Sequence, residues 1–117
     1  MEIFGQEYGF ALTVGGSAEI AELCPGGDMA RMTEILSRSY FETVDFTAKF
    51  CAIMAKGYDD MQRFSGVQIG HAPLTPEMVK ALPTEKFREV QAAAQAAFRG
   101  DTAPSVEVEP SKKKESE

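Results

Sequence analysis

The stretch TVDFTAKFCAIMAKGYDDMQRF, residues 43–64, decides the fold. Phe46, Phe50, Ile53, Met54, Tyr58 and Met61 recur at spacings of three and four, whereas Asp45, Lys49, Lys56, Asp59, Asp60 and Arg63 fall largely off that stripe. The pattern predicts an amphipathic helix from about Thr43 to Phe64, the central element of a mainly α domain. Gly57 inside it costs about 1 kcal/mol relative to alanine. It therefore predicts close approach of another element, for which the N-terminal hairpin is the candidate.

Upstream, residues alternate from Tyr8, with Tyr8, Phe10, Leu12 and Val14 on one face and Glu7, Gly9, Ala11 and Thr13 on the other. A half-buried strand is expected there, paired to Glu2–Phe4 through a two-residue turn at Gly5-Gln6. A short β-hairpin should open the fold and pack its apolar face on the helices, since a lone hairpin is marginal. Ser17 is the expected cap of a short helix carrying Ile20 and Leu23, ended by Pro25-Gly26-Gly27. Asp28 should cap another, with Met29, Met32, Ile35 and Leu36 on one side.

Downstream, Thr75-Pro76-Glu77 writes a helix start: a cap, a proline at the first helical position and an acid in the first turn. Met78, Val79 and Leu82 follow. After Pro83, Thr84 is the expected cap of a last helix with Phe87, Val90, Ala94, Ala97 and Phe98 inward and Gly100 as its stop. Residues 1–100 thus read as one compact helical domain with a small N-terminal sheet. Residues 101–117, DTAPSVEVEPSKKKESE, have too little to bury to offset ordering and read as a disordered charged tail.

The 117 residues suffice for one ordinary core. The formal charge of −6 argues against a nucleic-acid partner, because phosphates would be repelled. Cys24 and Cys51 lie 27 positions apart without a CxxC pair, no apolar leader opens the chain, and no run approaches a membrane span. A soluble cytoplasmic protein with reduced thiols and no membrane contact is expected.

The search for chemistry assigns no catalytic, cofactor-binding or metal-binding residue. His71, the one histidine, lies in the loop SGVQIGHAPL with no Ser or Cys tied to it by a motif. Cys51, between Phe50 and Ala52, reads as a small hydrophobe. Adjacent carboxylates on a helix point about 100° apart, so Asp59-Asp60 reads as a solvated face rather than a ligand pair. Gly15-Gly16 and Gly26-Gly27 lack the spacing of a phosphate loop or dinucleotide turn and read as turns. The Asp-Ser-Leu that carries the prosthetic group in acyl carrier proteins is absent. The six methionines and eight phenylalanines mostly fall on core stripes, with some left for a surface.

In layout and texture, EIFGQEYGFALTVGGSAEIAEL, then VDFTAKFCAIMAKGYDD, then PLTPEMVKALPTEKFREVQAAAQAAFRG and a short charged tail, residues 1–100 resemble the tail assembly chaperones of long-tailed bacteriophages and prophages. The resemblance implies a non-enzymatic protein of the host cytoplasm without cofactors. It would bind the tape measure protein and help recruit the major tail protein while the tail tube polymerises. Members are commonly made as two products, the longer one by a backward ribosomal slip near the end of the short frame. Lys112-Lys113-Lys114 can be encoded by A-AAA-AAG, on which such a slip occurs; a basic patch in a solvated tail is the competing reading. The alternative function is a small phage structural or adaptor protein of the head-tail joining type.

Overall fold

In a computed structural model the described residues are 1–100. The expected tail, Lys112–Lys114 included, lies outside the described residues. The mainly α class with an N-terminal hairpin holds. The elements are β1 (Glu2–Ile3), β2 (Gln6–Glu7), α1 (Val14–Leu23), α2 (Thr33–Leu36), α3 (Tyr40–Phe64), α4 (Pro76–Lys80) and α5 (Thr84–Arg99), with 3-10 turns at Pro25–Gly27 and Met29–Arg31.

The hairpin turn is shifted by one position from the expected one. Its strands pair antiparallel with Ile3 opposite Gln6, so the turn residues are Phe4 and Gly5, one position earlier than Gly5-Gln6. Both take positive φ, 50° and 79°, as the twist-matched two-residue turn requires. The Glu2 carboxylate accepts from the Gly5 amide at 2.6 Å and helps hold it.

The alternating segment Tyr8–Val14 is not a strand. After Tyr8 the chain runs extended across α3 instead of along a sheet; the Ala11 amide donates to the Met54 carbonyl at 3.0 Å. With no ladder to enforce the alternation, Tyr8 is buried and Phe10 packs on the core, while Leu12 is exposed and Val14 becomes the first residue of α1. The crossing explains Gly57. A Cβ there would stand 2.5 Å from the Ala11 carbonyl oxygen, so the element that needs the glycine is this crossing segment just beyond the hairpin.

Several caps also differ. Thr13, not Ser17, caps α1 by accepting from the Gly16 amide at 2.9 Å, which places Gly15-Gly16 in the first helical turn rather than in a turn of their own. Asp28 accepts from the Ala30 amide at 3.0 Å, but it starts only a 3-10 turn, and the helix proper is the four residues of α2. Ser39 caps α3, which begins at Tyr40, three residues before Thr43: its hydroxyl accepts from the Glu42 amide at 3.2 Å and donates to the Glu42 carboxylate at 3.4 Å. Thr75 caps α4 as expected, accepting from the Met78 amide at 3.2 Å. Thr84 does not cap α5; it is already helical, and the Pro83 carbonyl accepts the first bond, from Phe87 at 2.9 Å. Gly100 ends α5 in the left-handed conformation, φ 80°.

α3 rises about 37 Å over its 25 residues, the full 38 Å length of the molecule, and every other helix packs near it. Its buried arc carries Phe46, Phe50, Cys51 and Met54. Phe50 meets Phe98 of α5 edge-on with ring centres 5.4 Å apart. Val90 and Ala94 are the sealed contact of α5, and Val79 that of α4.

Candidate functional site

The Asp59-Asp60 pair divides. Asp60 stays at the surface in ion pairs with Lys56 and Arg63, whose hydrogen bonds hold its carboxyl below the usual range, Arg63 contributing most. Asp59 is buried, which corrects its reading as part of a solvated face. Both its oxygens contact Nε2 of His71, at 3.0 and 3.1 Å. The His71 ring packs at 4.3 Å and 47° on Tyr8, whose hydroxyl donates to the Ala72 carbonyl at 2.8 Å. Burial first, and then the negative charge of Asp59, push the Tyr8 hydroxyl above its ordinary value, which keeps it a donor. The cluster pins the loop after α3 to both the helix and the N-terminal segment.

A sequence signal for Asp59 exists. Ala48, Cys51 and Ala55 form a row at spacings of three and four on α3, all buried, and Asp59 is its next member. A carboxylate that prolongs a buried row needs a donor, and His71 lies in the loop that follows.

His71 and Asp59 border an open concavity of about 630 Å³ with Arg63, Val67 and Ile69. An imidazole oriented by a carboxylate is a part of general-base machinery. The structure brings neither cysteine to it in a reactive form. Cys51 is wholly buried and burial pushes its thiol up to about 12; Cys24 is buried, and burial, then Asp28, raise its thiol too. Among the described residues no group of three or more His, Cys, Asp or Glu side chains is placed to hold a metal. No helix among them is long and apolar enough to cross a membrane.

The other candidate is a surface. The apolar stripe of α3 continues past the body at both ends: Tyr40 and Phe41 at its start are 78% and 73% exposed, and Phe64 at its end is 87% exposed, beside Met61. Lys80 stands 5.9 Å over the Phe41 ring. Met61, and to a lesser degree Tyr58, thus leave the core to which the spacing assigned them. Tyr58 leans on Gly9, where a Cβ would come within 2.7 Å of its ring. Midway along α3 lies an apolar groove of about 380 Å³ between α3, α1 and the segment leading into α4. No protein-family model, curated protein or solved structure matches the chain.

Proposed function

We propose that this protein is a non-enzymatic tail assembly chaperone of a long-tailed phage or prophage, holding the tape measure protein and assisting the major tail protein in the host cytoplasm. The observation that carries the reading is the uncovered apolar face at both ends of α3, Tyr40 with Phe41 and Phe64 with Met61, on a chain of charge −6. Exposed aromatic surface of this kind serves contact with a partner. The net negative charge keeps the free protein dispersed meanwhile. The layout shared with such chaperones supplies the identity of the partners.

The test is coexpression with the tape measure gene from the same genome. The tape measure protein is expected to become soluble with the wild type, and to precipitate with a Tyr40→Ser, Phe41→Ser, Phe64→Ser variant whose circular dichroism is unchanged. Tape measure solubility indifferent to the chain, or the chain retained in purified particles, overturns the reading; retention favours the head-tail adaptor. In the native gene, an N-terminally tagged larger product that disappears when the Lys112–Lys114 codons are all AAG supports the two-product arrangement.

A further inference from the structure

We infer that this chain associates head to tail, the hairpin tip of one molecule placing Phe4 in the apolar pocket between α2, α3 and α5 of the next. The contact holds whether or not the chain serves a phage tail.

The tip sets an aromatic side chain where the turn disfavours one. Phe4 has φ 50°, in the left-handed region that glycine and asparagine enter readily and a bulky side chain does not. Its ring is nonetheless 55% exposed, so the turn carries this strain without sealing the ring in the core. An outlier of that kind marks a site of contact outside the molecule. The knob is also held firmly. The Gly5 amide donates to the Glu2 carboxylate at 2.6 Å, Ile3 just before the tip is fully buried, and Glu7 on the second strand is paired with the Met1 amine. A rigid knob loses little freedom on docking.

The pocket matches the knob in size and chemistry. Phe46, Phe50 and Phe98 line it with Met32 and Leu36, around a volume of about 240 Å³. A cavity of about 150 Å³ already holds a benzene ring, so one phenyl group has room. Leu36 is exposed, so the pocket opens to solvent. Phe4 of the same molecule is not among the residues that line it. The segment after the hairpin anchors Tyr8 on His71 beside Asp59, 13 positions and about 20 Å along α3 from Phe46. Filling the pocket with the tip therefore takes a second molecule. Because knob and pocket are different surfaces, the contact is heterologous and repeats from copy to copy. Charge does not oppose it. Glu7 is balanced by the Met1 amine, Glu2 is in no ion pair among the described residues, and the one charged side chain lining the pocket, Arg99, is of opposite sign.

The test is sedimentation velocity on the full chain. The mean mass is expected to rise at least about twofold between about 10 µM and 1 mM protein. Phe4→Asn removes the knob and Leu36→Asp spoils the pocket, and each variant alone is expected to stay monomeric. Asparagine before glycine is the favoured pair for this turn, so the thermal midpoint of Phe4→Asn should rise while association is lost. An equimolar mixture decides the geometry: Phe4→Asn keeps a pocket and Leu36→Asp keeps a tip, so together they should form pairs and grow no further. A monomer at every concentration overturns the inference and leaves the pocket to residues 101–117 or to another protein. Association indifferent to both variants overturns it too, as does a mixture that remains monomeric. A monomeric wild type that keeps the tape measure protein soluble, where Phe4→Asn does not, overturns self-association, gives the tip to that partner and leaves the chaperone reading standing. Head-to-tail growth without that solubilisation supports the contact and removes the chaperone reading.

Discussion

Phe46 and Phe64 are the same residue on the same helix, 18 positions and therefore five full turns apart, so they point in the same direction about 27 Å from each other. Phe46 is 8% exposed and Phe64 87%. The difference lies wholly in what stands opposite. Phe46 stacks with Phe50, which meets Phe98 of α5, whereas Phe64, in the last turn of α3, stands out in solvent. One periodic pattern thus builds a core in the middle of the helix and an uncovered surface at its ends, and only the lengths of the neighbouring elements decide which.

If the middle of α3 is sealed and its ends are not, substitutions along it should fall into two classes. The largest effect is expected at Met54, wholly buried: Met54→Ala should cost about 3 kcal/mol by urea denaturation. A loss below about 1 kcal/mol would mean the middle is no better packed than the ends. Next is the carboxylate that prolongs the buried row. His71→Ala leaves Asp59 buried without its donor and should cost about 2 kcal/mol, whereas Asp60→Asn should leave the thermal midpoint unchanged. Equal effects at the two aspartates would erase the distinction.

Gly57→Ala sharpens the boundary further. Alanine is the better helix former, yet its methyl group would meet the Ala11 carbonyl oxygen, so a net loss of about 1–2 kcal/mol is expected; a gain would show that the crossing segment moves aside freely. Asp45, partly exposed, tests the surface in acid. Hydrogen bonds from Lys80 first and Lys49 second lower its folded pKa from 3.8. Its contribution is therefore present above pH 3.8 and lost as pH falls through the lower folded value. Asp45→Asn should lower the thermal midpoint slightly at pH 7 and make its decline below pH 3.8 shallower. The smallest effect belongs to Phe64→Ser, within about 0.5 kcal/mol of wild type; a larger loss would mean that Phe64 already has a contact within the chain.

What the sequence made legible follows the same division. The long period of α3, the Thr75-Pro76 start of α4 and the Gly100 stop of α5 are local devices, and each is where its residues put it. The segment after Tyr8 departs from its expected strand because alternation records which side chains are apolar and not whether a neighbouring strand exists. Thr13 is hidden as the cap behind Ser17 because glycines at the first turn look like a break. Asp59 differs from its expected exposure because the adjacent Asp60 suggests a shared surface that helical geometry does not grant. The uncovered ends of α3 were out of reach in principle: no periodicity states where the opposing helices stop.

The hydrogen bond from the Tyr8 hydroxyl to Ala72 joins positions 64 residues apart. On the ribosome, the N-terminal segment emerges first, yet the loop it docks against is made long afterwards. At about 5–20 residues per second, synthesis of the intervening chain takes roughly 3–13 s. The Tyr8 hydroxyl therefore waits that long for the carbonyl it donates to, and docking of this segment onto the loop cannot precede synthesis of Ala72.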